Sequence, residues 1–165
     1  MNENKIQCAL FLDLQASHKL VMPNFSPPNW WENDIMAVTN SDYWVEHEIK
    51  VSVADFKKDA TKVKDERGIN NWRTGRTINK HEVIAAKDGR GPSRFYFVVV
   101  TGMENNITIP EWAGLKIAHP YKDRAVISTH KKAPQLHKNK IDPKIIDGAR
   151  AACYWRMWSY KKNNA

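Results

Sequence analysis

Cysteine is scarce in this chain: Cys8 and Cys153 are its two copies in 165 residues. They lie too far apart for any metal-ligand spacing and read as two reduced, buried thiols. A disulfide scaffold and a thiolate zinc site are therefore excluded. His18, His119, His130 and His137 show no zinc-ligand spacing either. Long apolar runs are also missing, and the opening MNENKIQCALFLDLQ lacks the basic region and cleavage site of a secretory signal. An intracellular, cytoplasmic protein away from membranes is the expectation. Acidic residues are sparse in two stretches. Residues 57–87 carry nine basic and four acidic side chains, and residues 116–140 carry seven basic ones against Asp123 alone. Residues 1–48 reverse the balance, with Lys5 and Lys19 against seven carboxylates. The net charge of +8 is thus unevenly spread. A protein that binds a polyanion beside a cation site needs such a division.

What is present suits a single domain spanning residues 1–165, with 42% apolar residues to build a core. Apolar spacing predicts a helix over residues 4–18. Leu20 to Met22 follows as a short strand closed by Pro23, and the prolines of residues 24–29 make a loop. Asp34 to Thr39 (DIMAVT) and Tyr43 to Ser52 (YWVEHEIKVS) read as two strands joined by the turn residues Asn40, Ser41 and Asp42. Alternation puts Glu46, Glu48 and Lys50 on one face of the second strand, and Val45, His47, Ile49 and Val51 on the other. His47 is then a packed core histidine. Ser52 is placed to cap a helix reaching about Lys64. Residues 65–91 read as a long polar loop with a short helix at 80–86. Arg94 to Thr101 (RFYFVVVT) reads as a central strand, and 114–118 and 125–128 as two more. Residues 131–140 form a basic loop. Asp142 and Pro143 then open a terminal helix whose apolar stripe is Ile146, Ala149, Cys153, Met157 and Tyr160, widened by Trp155 and Trp158. Trp30 and Trp31 are expected to pack the sheet against the first helix, or else to offer a ring to a base.

Two carboxylates and a lysine on one strand face are costly in a core unless they pair or hold a metal. The hairpin would also bring Asp34 towards Glu48. Asp34 followed after a short turn by Glu48-Ile49-Lys50 resembles the signature of the PD-(D/E)XK nuclease superfamily. Within it, Glu46 to Asp59 (EHEIKVSVADFKKD) is similar to the MmcB-like branch of DNA-repair endonucleases. Ser93 to Val99, Ile109-Pro110, Ala113 to Ala118 and Lys132-Ala133-Pro134 follow in that branch's order, so the resemblance covers roughly residues 30–136.

The resemblance implies a restriction-endonuclease-like α/β core, a mixed central sheet flanked by helices in the order αβββαβ, with an added C-terminal helix. It implies Mg²⁺ or Mn²⁺ held by Asp34, Glu48 and the Ile49 backbone carbonyl, with Lys50 acting on the attacking hydroxide or the transition state. Glu46 is a candidate outer-shell base. The implied activity is hydrolysis of DNA phosphodiester bonds by an endonuclease or nickase acting on duplex, nicked or branched DNA. Lys57, Lys58, Lys62, Lys80, His81, Lys131, Lys132 and Lys138 are the candidate DNA contacts, and a homodimer is compatible with the pattern. Two other classes stay open: an inactive nucleic-acid-binding module of the same fold, and a regulatory domain that binds protein through its tryptophan-rich terminal helix.

Overall fold

Asn2 caps the first helix, its side chain accepting from the Lys5 N–H at 3.1 Å. In the computed structural model, which describes residues 1–67 and 73–164, this helix α1 spans Glu3–Leu14. It ends sooner than its spacing predicts, and residues 15–17 turn into the strand β1 (His18–Phe25). Pro23 lies inside β1, opposite Ile35, and does not close it. An edge strand tolerates proline because one row of its backbone groups pairs with nothing.

β2 (Asn33–Thr39) and β3 (Trp44–Lys50) form the expected hairpin. Its turn closes with the Asp42 N–H donating to Thr39 O at 3.0 Å, and Asp42 sits at φ 70°, a left-handed geometry that Asp accepts better than most residues. Ser52 caps α2 (Val53–Asp59), accepting from the Asp55 N–H at 3.1 Å. The helix expected to reach about Lys64 stops at Asp59, and β4 (Val63–Arg67) and β5 (Arg73–Asn79) run from its expected end into the expected long loop as an antiparallel pair apart from the main sheet. Residues 68–72 of that expected loop lie outside the described residues. Asn79 then caps α3 (Lys80–Ala86), where the short helix is predicted.

β6 (Arg94–Val100), β7 (Gly114–Tyr121) and β8 (Arg124–Lys131) complete the sheet, the last two longer than expected. Among the described residues the main sheet has the order β1-β2-β3-β6-β7-β8. β6 lies parallel to β3 and to β7, and the other neighbours are antiparallel. The fold is thus a mixed α/β sheet flanked by helices, with the C-terminal helix α4 (Pro143–Asn163) added.

The two faces bury different partners. Ile6, Leu10 and Leu14 of α1 pack on Ile35, Val45 and Ile49. On the other face Trp30, Phe95 and Phe97 pack with Ile84 of α3 and Ile146 of α4. Trp30 therefore lies across the sheet from α1, contrary to expectation. Asp142 caps α4 as predicted, but only Ile146 and Ala149 of the expected stripe are buried. Cys153, Met157 and Tyr160 are exposed, because the second half of the helix runs beyond the core. Cys8 is exposed too, so neither thiol is the buried one predicted. Among the described residues no helix is long and apolar enough to cross a membrane.

Candidate active site

Strand alternation delivers Glu46, Glu48 and Lys50 to the face opposite α1, and each is buried. The register that pairs Ile35 with His47 and Met36 with Glu46 puts Asp34 across from Glu48. Ladder pairing of β2 with β3 ends at Ile35, and the Asp34 carboxylate takes the next free donor, accepting from the Ile49 N–H at 2.6 Å. Asp34, Glu48, Ile49 and Lys50 therefore line one cavity of about 430 Å³, with Lys58 and Lys62 beside them.

A charge cluster spreads from this cavity into the protein. Glu48 Oε1 accepts from Lys50 Nζ at 2.8 Å and from Lys62 Nζ, and Glu48 Oε2 accepts from Lys80 Nζ at 2.8 Å. Lys80 Nζ also lies 2.6 Å from Glu46 Oε1, while Trp30 Nε1 donates to Glu46 Oε2 at 2.7 Å. Asp59, at the end of α2, lies 2.8 Å from both Lys50 and Lys62 and 2.7 Å from His81 Nε2. Burial would raise the Glu48 carboxyl, but Lys80, Lys50 and Lys62 outweigh it and hold Glu48 below its ordinary value. Burial likewise opposes ionisation of Asp59, and its bonds to His81 and Lys50 reverse that effect. Glu46 is raised, because burial dominates and Lys80 offsets only part of it. Lys50 and Lys80 are raised, their carboxylate neighbours outweighing burial.

Asp34 stands apart: among the described residues it makes no ion pair. Burial and the nearby Glu48 push its carboxyl from 3.8 up to about 7. Between those values the folded chain holds a proton that the unfolded chain has lost. Stability therefore falls as pH rises from about 4 to 7, and the whole cost stands above 7. Asp34→Asn removes that cost while keeping an oxygen for the Ile49 N–H. Chemical denaturation without divalent ions should show the variant about 2–4 kcal/mol more stable at pH 8. At low pH it should match wild type. Equal stability at pH 8 would mean that Lys50 already compensates Asp34.

The donor set fits a hard divalent cation in part. Mg²⁺ is commonly held by one or two carboxylates with oxygen donors and water, and here Asp34, Glu48 and the Ile49 carbonyl supply that set. The uncompensated Asp34 is what such an ion would neutralise. Against this, Glu48 already has lysines on both oxygens, and among the described residues no group of three or more His, Cys, Asp or Glu is placed to hold a metal. Lys62, with its side chain 36% exposed, is the ammonium best able to withdraw.

Several expected roles change. Lys80 is fully buried between Glu46 and Glu48, so it is not a surface contact for DNA. His81 is turned onto Asp59 and sits edge-on to Phe97 and Trp112, with its side chain 17% exposed. Glu46 is buried against Lys80 and does not itself line the cavity. Lys57 and Lys58 are exposed on α2, Lys58 at the cavity rim. Lys131 is half-buried and donates to Pro110 O at 2.8 Å, whereas Lys138 is exposed. Lys132 lines a different cavity, on the α1 side, with His47 and Lys116. His47 is the packed histidine expected, stacked on Tyr96 at 5.3 Å, and burial holds it well below its ordinary pKa. Asp59 was not anticipated as a member of the site. Its signal lies in the run DFKKD, where the last position of α2 turns back towards Lys50.

No family model matches the sequence, and no curated protein does. Among solved structures, the SPO1766 protein of unknown function from Silicibacter pomeroyi superposes on 100% of this chain and 94% of its own, with a TM-score of 0.67 and 17% identity. At that identity the likeness is one of fold.

Proposed function

We propose that this protein is a Mg²⁺- or Mn²⁺-dependent deoxyribonuclease, an endonuclease or nickase with a restriction-endonuclease-like core. The observation that carries the reading is the meeting of Asp34, Glu48 and Lys50 in one cavity at the open end of the β2–β3 hairpin. In hydrolysis, water adds to phosphorus, one P–O bond breaks, and a proton ends on the leaving oxygen. Asp34, Glu48 and the Ile49 carbonyl would hold the ion, which neutralises phosphoryl charge and eases deprotonation of water. Lys50, fixed by Glu48 and Asp59, presents its ammonium where charge develops in the transition state. Asp59 and Glu48 together keep that ammonium charged and oriented.

A second reading, an inactive DNA-binding module, is favoured by one specific observation. Lysines already cover both oxygens of Glu48, so the cluster is largely neutralised without an ion. Both readings require duplex DNA to lie over Lys57 and Lys58. Affinity should then fall by nearly one log unit per log unit of salt for each phosphate neutralised, and Lys57→Ala with Lys58→Ala should flatten the slope by about two. Binding that ignores ionic strength would remove both. Chelator-sensitive cleavage separates them.

A further inference from the structure

Tyr154, Trp155, Met157, Trp158 and Tyr160 of α4 are 46–70% exposed. Folded chains rarely leave a contiguous patch of this kind without a use. The helix is tied to the body by Arg156, which donates to Pro23 O at 2.6 Å and to Asn24 O. Successive helix residues are rotated by about 100°. Measured that way, Arg150, Lys161, Tyr154, Trp158, Lys162 and Trp155 share an arc of about 140° centred opposite Arg156, with the exposed Asp147 near its middle. The rings touch edge-on, with Tyr154 5.2 Å from Trp155 and 6.3 Å from Trp158 between centroids. From Asp147 to Asn163 the helix has four basic residues and one acidic one, Asp147, which lies 3.5 Å from Arg150.

We infer that this arc of α4 binds single-stranded DNA, with Tyr154, Trp155 and Trp158 stacking on bases and Arg150, Lys161 and Lys162 meeting phosphates. A single strand offers open base faces to exposed rings, and a duplex does not. The cations supply the attraction to the backbone. Two other occupants fit the charge pattern less well. A second copy in a symmetric contact would set three cations of each copy against one carboxylate, Asp147, which already lies 3.5 Å from Arg150. A helix lying in a lipid interface separates its charged and apolar faces. Here Lys162 lies between Trp158 and Trp155 on one arc, and Lys161 lies beside Tyr154, so burying the rings would bury the charges.

The inference stands on α4 alone and does not need the cavity to cleave anything. It is tested on the full chain in chelator, with labelled oligo(dT) of about 20 nucleotides, longer than the span one such surface covers. Trp155→Ala and Trp158→Ala should each weaken binding about tenfold. The double substitution should do more, and an equally long duplex should bind both proteins alike. Addition of oligo(dT) should also quench tryptophan fluorescence in wild type and far less in the double variant. These side chains support no core, so denaturation midpoints should stay unchanged. Equal affinity of wild type and double variant for oligo(dT) overturns the inference. So does a double substitution that dissolves a dimer, or releases the protein from anionic vesicles, while oligo(dT) affinity is unaltered. Without divalent ions no cleavage enters the readout, so failure here leaves the nuclease proposal standing, and failure of that proposal leaves this one.

Discussion

Lys80→Ala should cost the folded protein about 3–5 kcal/mol, the usual effect of removing one partner from a buried ion pair. Lys80 is fully buried, and its ammonium lies 2.6 Å from Glu46 and 2.8 Å from Glu48. Glu48 would keep Lys50 and Lys62, whereas among the described residues Glu46 would keep only the Trp30 N–H. The loss thus falls mainly on Glu46, and it is large against the 5–15 kcal/mol of a typical domain. Pairing the change with Glu46→Gln tests that assignment. Lys80→Met with Glu46→Gln should recover most of the stability, since a neutral pair leaves no stranded charge. Urea denaturation of the single and double variants measures both. A loss below about 1 kcal/mol in Lys80→Ala would show that Glu46 is already protonated and the ion pair idle.

Lys50→Ala should lower the cleavage rate by about 10²–10³-fold, the range for removing one preorganised group that meets transition-state charge. DNA affinity should barely change, because Lys50 is 4% exposed and bonded to Glu48 and Asp59, leaving it little part in the ground-state contact. Folding should survive, because Asp59 keeps Lys62 and His81 while Glu48 keeps Lys62 and Lys80. Single-turnover rates beside equilibrium binding separate the two effects. Wild-type turnover in this variant would reduce Lys50 to a salt-bridge partner.

The hairpin and the site it carries were legible because strand period and turn chemistry act locally. Glu46, Glu48 and Lys50 alternate with Val45, His47 and Ile49, and Asn40 to Asp42 has turn composition, so the face and approximate register follow. Ser52 and Asp142 were legible as caps for the same reason: each bonds within three residues of itself. The β4–β5 hairpin was not. Its residues are mostly polar, and among the described ones Ile78 alone packs against the core, so no alternation marks them. The fates of Lys80 and His81 were hidden as well. A lysine in a polar stretch reads as solvated, and only the fold brings Lys80 to Glu46, 34 positions away in the chain. The α4 stripe misled differently. Its spacing is that of a buried face, but beyond Ala152 the helix meets the sheet through Arg156 at the end of β1 and leaves Cys153, Met157 and Tyr160 exposed.

Nicking of supercoiled plasmid DNA tests the central claim most directly. The measurement compares wild type, Asp34→Asn and Glu48→Gln with Mg²⁺ or Mn²⁺, and repeats wild type in chelator. The account predicts conversion to nicked or linear product by wild type with metal alone, and none by either variant or in chelator. All three proteins should still bind DNA. Cleavage that persists in Asp34→Asn and Glu48→Gln, or wild-type protein that binds DNA yet never cuts it with either ion, would contradict the account.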